Sequence, residues 1–289
     1  MKCISSNRSA SHMLRQRQIL FASCLLVLFS VTLTAARAGI LVAPTRLVLE
    51  PGERVGEVTV MNNGADPVTL RISFVNYHMR ANGSFDVATE PLPGEHFADD
   101  FLRYAPRRIH LAPGEGQTVR ILARPPSGAP VEYRSHLRFQ TEPPLDAPSK
   151  GAGNGGNERD LSIELIPLYG VSIPVIVRTG DLSATVAIDS LSVRSGPRKT
   201  PMATFRLRRS GNRSIYGDIR LYLTPQGGEE RLVGETLGLA VYPPLEARNV
   251  SVPFNKLDAA NLPPGRLRVE YVDHDDNARV LAEAERVIR

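Results

Sequence analysis

Along most of this chain, apolar and polar residues alternate in short runs that end at turn-forming residues. Val68, Leu70, Ile72 and Phe74 alternate with Thr69, Arg71 and Ser73. A period of two puts successive side chains on opposite faces of a strand, so this run predicts a strand with one buried face. By the same reasoning strands are predicted over residues 40–49, 55–61, 68–77, 107–111, 118–124 and 131–140. Pro51-Gly52, Asn63-Gly64, Asn82-Gly83 and Ala112-Pro113-Gly114 separate them. Asn63-Gly64 reads as a hairpin signal, because Asn and Gly tolerate the positive φ of a tight two-residue turn. A second series is predicted over residues 184–193, 204–209, 215–223, 230–241, 249–254, 267–272 and 280–288. The last of these also has helical propensity, but a helix this short is marginal without packing, and it reads as a strand.

One segment departs from the pattern. Residues 143–160 (PPLDAPSKGAGNGGNERD) are rich in Pro and Gly with almost no apolar side chain, which predicts a flexible loop. Residues 161–178 (LSIELIPLYGVSIPVIVR) follow, with Ile163, Leu165, Tyr169, Val171, Ile173, Val175 and Val177 all at odd positions. A core strand would account for the alternation. The length of the run, against about five or six residues for an ordinary strand, predicts instead that its first half extends past its own sheet. Pro167 and Pro174 lack an N–H and differ in parity, so a regular strand would lose one donor on each side; a bulge at Gly170 would bring both losses to one edge. Either arrangement excludes the middle of a fully bonded sheet. The strands before 161 number about six or seven, some of them weak, against about seven good ones for a full sandwich, so the domain division is placed at residues 39–178 and 179–289.

The N-terminus changes the charge reading. Lys2, Arg8, Arg15 and Arg17 precede an uncharged run over residues 19–33, and Ala36-Arg37-Ala38 follows. Basic, apolar and small-residue regions in that order make residues 1–38 a cleavable signal peptide, which leaves no stable membrane anchor. Without them the chain holds 30 basic and 30 acidic residues, and the net charge of +5 disappears. That removes the electrostatic case for a nucleic-acid partner. Cys3 and Cys24, the only two cysteines, leave with the same segment, so no disulfide supports the core.

No catalytic constellation emerges, and the reading is of a protein that is not an enzyme and carries no cofactor or metal. His78, His96, His110, His136 and His274 stand in no metal-ligand spacing. Glu95-His96 with Asp99-Asp100 reads as a solvated acidic loop, and Asp273-His274-Asp275-Asp276 as the polar tip of the last hairpin. The absence of tryptophan argues against a sugar-stacking site.

Several motifs together resemble the periplasmic pilus-assembly chaperones, the PapD-like family, over essentially all of residues 39–289. They are Ala43-Pro44-Thr45-Arg46, Val58-x-Val60-x-Asn62-Asn63, Tyr104-Ala105-Pro106-Arg107-Arg108, Pro113-Gly114-x-x-Gln117-Thr118-Val119-Arg120, the run from Val131 to Phe139, and residues 168–178. The resemblance implies an all-β fold of two immunoglobulin-like β-sandwich domains set at an angle in an L shape. It implies a periplasmic chaperone that lends its seventh strand to pilin-like subunits lacking their own last strand, and that delivers them to an outer-membrane usher. Ile163, Leu165, Tyr169, Val171 and Ile173 are then the donor side chains. Such a strand also leaves the free form open to self-association. Arg46 falls on the arginine that anchors the client's terminal carboxylate. The family's partner lysine is replaced by Pro174, so Arg178 on the same strand is the candidate second cation. The competing reading is a structural pilus or surface subunit; residues 39–45 are short for the donor extension such a subunit needs.

Overall fold

The computed structural model describes residues 39–143, 168–196, 200–257, 262–276 and 279–288. Among these every regular element is a strand, and the strands form two β-sandwiches. In the first, β1 (Ile40–Ala43), β3 (Val55–Asn62), β8 (Gly116–Ala123) and β6 (Leu102–Ala105) make one sheet, in the order β1-β3-β8-β6. The facing sheet runs β2 (Leu47–Leu49), β10 (Gly170–Thr179), β9 (Val131–Thr141), β4 (Val68–Met79) and β5 (Phe85–Ala88), with β7 (Arg108–Leu111) on the other end of β4. Strict alternation in β3 buries Val58 and Val60 and exposes Glu57 and Thr59. Val58, Val60, Val119 and Ile121 from one sheet meet Leu70, Leu137, Phe139 and Val175 from the other in a single core.

Two turns behave differently from their sequence signals. Asn63-Gly64 does not close a hairpin: β3 and β4 belong to opposite sheets. The chain crosses between sheets there because Asn62 is buried and ties the crossing together. Its side chain donates to Asp66 O (2.8 Å) and Leu111 O (3.1 Å) and accepts from Gly64 N (2.9 Å). The single strand expected over residues 40–49 is also two strands. Pro44 offers no N–H to the ladder, and after it the chain passes from β1 in one sheet to β2 in the other.

In the second sandwich, β11 (Ala184–Ser195), β12 (Pro201–Gly211) and β15 (Ala247–Pro253) form one sheet. The other contains β14 (Arg231–Val241), β13 (Ile215–Pro225), β16 (Gly265–Asp273) and β17 (Val280–Ile288), in that order. The final segment is therefore a strand, paired with β16. Phe205, Leu207, Ile219, Leu221, Val250, Val252 and Val269 fill this core.

A third apolar cluster joins the two sandwiches. Ile176 of β10 packs with Ala240 and Tyr242, and half-buried Val48, Met79 and Tyr216 surround them. The second half of β10 is thus covered on both faces: Val175 and Val177 point into the first core, and Ile176 points to the second sandwich. At the tip of the β4–β5 hairpin, Asn249 N donates to Ala81 O at 2.6 Å, which adds a backbone tie between the sandwiches.

Candidate functional site

The open edge of β10 and the Arg46 side chain make up the site. On one side β10 pairs with β9 without a register shift, from Gly170 opposite Gln140 to Thr179 opposite Val131. No bulge occurs at Gly170 in this span. Gly170 instead permits a close approach, since a Cβ there would lie 2.9 Å from Phe139 O. Thr141 N donates to Tyr169 O at 2.9 Å, so the backbone groups of odd residues face β9. Those of Gly170, Ser172, Pro174 and Ile176 therefore face the opposite side. On that side β2 covers only Val175–Val177, in a parallel pairing of Leu47 with Val175 and Val48 with Ile176. Beside Gly170 to Pro174 no described strand lies. Pro174 lacks its N–H on this open side, where no ladder bond to β9 is lost.

The odd-numbered side chains form a row that leaves the core as it runs toward the loop. Ile173 is buried in the first core, Val171 is half-buried against it, and Tyr169 is 44% exposed. Leu168, of the other parity, is 51% exposed. Ile173 thus turns its backbone groups to β9 and its side chain into its own sandwich, and offers the open side neither. Ile163, Leu165, Pro167 and nearly all of the predicted loop at 143–160 lie outside the described residues.

Arg46 immediately precedes β2. Continuing the parallel register by one residue places it level with Pro174, where the open edge ends. Its guanidinium lies 4.5 Å from the centre of the Tyr216 ring and 5.8 Å from that of Tyr242. Nη2 donates to Ser214 Oγ at 3.2 Å, and Nη1 is buried without a hydrogen-bond partner. Among the described residues no carboxylate neutralises it. A buried guanidinium N–H with no acceptor is costly, and a carboxylate oxygen is the acceptor that suits it best. The group borders a cleft of about 390 Å³ whose walls include Val48, Ser214, Tyr216 and Leu281.

Arg178 is in a different electrostatic state. It is 6% exposed, and it donates from Nε to Glu132 at 3.0 Å and from Nη1 to Glu50 at 2.5 Å. Both oxygens of Glu132 also accept from Ser214 N of the second sandwich at 3.1 Å. The charge expected to serve as a second anchor is taken up inside the fold, and its structural effect is to tie β10, β9 and the second sandwich together.

In the acidic loop His96 and Asp100 are exposed as its sequence suggested, but Glu95 is not. Glu95 is 5% exposed, with His78 Nδ1 at 2.6 Å and Arg134 Nη2 at 2.8 Å. Arg134 also donates to Tyr77 O and lies 4.3 Å from the centre of the Tyr242 ring; burial lowers its pKa. This network braces the joint and leaves the open edge untouched. Sequence reasoning missed Ser214, Tyr216 and Tyr242, which are distant in the chain from Arg46 and carry no motif. His274 did carry a signal, its acidic neighbours, and it lies beside Tyr216 with a ring separation of 4.6 Å.

No protein-family model matches the chain, and no curated protein matches it. Solved structures do. The chain is similar to solved chaperones of pili and fimbriae. The YadV chaperone aligns over 86% of this chain and 99% of its own, with 11% identity and a TM-score of 0.43. The Escherichia coli chaperone DraB aligns over 87% and 97%, with 14% identity and a TM-score of 0.43. The complex of the chaperone CsuC with the tip subunit CsuE of Acinetobacter baumannii Csu pili contains a chain that aligns over 87% and 97%, at 13% identity and a TM-score of 0.42.

Proposed function

We propose that this chain is an exported, non-enzymatic chaperone that caps pilin-like subunits in the periplasm and passes them to an outer-membrane usher. Residues 1–38 direct export, and the two sandwiches, divided near residue 178, act together. The observation that carries the reading is the alignment of the open β10 edge with Arg46. A strand added parallel to β10, in the lane that β2 occupies further along, would run past Gly170, Ser172 and Pro174. Its C-terminus would then arrive at Arg46, whose free Nη1 donates to the terminal carboxylate. Backbone bonds to the edge give affinity, and the apolar row continuing from Val171 through Tyr169 toward Leu165 and Ile163 fills the open core of the client. Capping also removes the aggregation hazard that an unfinished sheet presents.

The test is co-expression with a pilin-like subunit encoded beside it. The wild-type chain should yield a soluble one-to-one complex, whereas Arg46→Ala should lose it with little change in melting temperature. Val171→Arg should lose it too, with a lower melting temperature because Val171 packs half-buried against the first core. Recovery of the complex with Arg46→Ala at wild-type yield would refute the anchor.

A further inference from the structure

Among the described residues, the hydrogen bond and both ring contacts of the Arg46 guanidinium go to the second sandwich, to Ser214, Tyr216 and Tyr242. We propose that Tyr216, braced by His274 and Asp218, is the positioning device that holds Arg46 ready for a carboxylate. The proposal rests on the reading of Arg46 as the client anchor. An arginine lying over an aromatic face is held by the ring quadrupole rather than through its N–H groups. Nη2 is fixed by Ser214 and the plane by Tyr216, so Nη1 stays both immobile and unbonded. A single pre-ordered cation can then do what a second, flexible cation would otherwise have to do. At Pro174, level with Arg46, no cation is available.

The ring is itself confined on several sides. Tyr216 precedes Gly217, which pairs with Asp273, and the same register sets Tyr216 opposite His274. A side chain at Gly217 has no room, because its Cβ would lie 2.3 Å from Val272 O and 2.8 Å from the Tyr271 ring. His274 Nδ1 lies 2.7 Å from Asp218 Oδ1, which fixes the imidazole against the tyrosine. Asp218 is buried and accepts from Gly238 N at 2.8 Å. Gly238 has φ +67°, and a Cβ there would lie 2.9 Å from Tyr216 Oη, so the hydroxyl end is enclosed as well. Tyr216 burial and the neighbouring phenol and carboxylates raise its pKa, and the ring presents a neutral face to Arg46. Tyr216 and His274 are positioning residues: neither needs to touch the client.

The measurement is an NMR titration of the full chain, labelled at the arginine Nε, with the peptide acetyl-Val-Thr-Val-Thr-Val as free acid and as amide. The wild type should prefer the acid. In Tyr216→Leu the acid-to-amide preference should fall roughly tenfold while amide affinity stays put, as expected for loss of a partly desolvated cation–π contact. Arg46 Nε relaxation should change from rigid to mobile in that variant. Tyr216→Phe should restore both the preference and the rigidity, since it keeps the ring. If Tyr216→Leu fails to fold, His274→Ala carries the test with the same two readouts and a loss of about threefold. An undiminished preference and a rigid Arg46 in the folded variants would overturn the proposal. A wild-type chain with no preference for the acid would instead overturn the anchor reading beneath it.

Discussion

Replacing Arg178 by methionine removes one charge from a buried pair and keeps most of the side-chain volume. Glu132, whose side chain is 2% exposed, would lose the Nε bond at 3.0 Å and keep only the Ser214 amide. Breaking a buried ion pair from one side leaves an uncompensated charge and costs about 3–5 kcal/mol. Glu50 is half exposed and rehydrates, so the loss of its contact adds less than about 1 kcal/mol. Arg178→Met combined with Glu132→Gln removes both charges, and the cost should then fall below about 2 kcal/mol. At roughly 2–4 °C per kcal/mol for a chain of this size, the single variant should melt about 10 °C below wild type and the double variant only a few degrees below. Urea unfolding of the four proteins of the cycle gives the coupling directly. The reasoning fails if Arg178→Met costs less than about 1 kcal/mol, or if the double variant is less stable than the single one.

His136 should make stability depend on pH. Burial, with a smaller contribution from Arg134, lowers its pKa to about 3, so the folded chain refuses a proton that the unfolded chain takes up near 6.5. The stabilisation is whole above that value and is lost as pH falls toward 3, by about 2 kcal/mol at pH 5; a His136→Phe variant with an equally steep loss would contradict this. Ile176→Ala opens a void where the sandwiches meet and should cost about 2–4 kcal/mol. Calorimetry should then resolve two transitions in place of one. Gly83 has φ +83°, and a Cβ there would lie 2.3 Å from Arg248 Nε. Gly83→Ala should therefore displace the arginine from its 2.8 Å bond to Ala240 O and cost about 1–2 kcal/mol by chemical unfolding.

Strand positions were legible in the sequence because alternation reports directly which face is buried. The pattern in Val55–Asn62 and the apolar odd row of β10 both appear in the fold as read. Connectivity was harder to read. Asn63-Gly64 looks the same whether it closes a hairpin or crosses between sheets, and the deciding fact is the buried Asn62 amide. At the site, Arg46 was visible as a lone cation in an apolar strand. Its surroundings were not, because Ser214 and Tyr216 lie more than 160 residues away in the chain. Arg178 shows the limit from the other side. A cation on the right strand reads as an anchor until the fold brings Glu132 and Glu50 to it. The sequence of the 90s loop likewise hides the burial of Glu95, since His78 and Arg134 come from β4 and β9.

The central claim, that β10 offers one open edge to a client strand, is tested most directly by residue-resolved amide exchange, with and without a pilin-like subunit. In the free chain the Val171 and Ile173 amides face β9 and should be protected, while Gly170 and Ser172 exchange freely. Binding should protect Gly170 and Ser172 and leave the other two as they were. Protection of Ser172 in the free chain, or continued free exchange of Ser172 in the complex, would contradict the account.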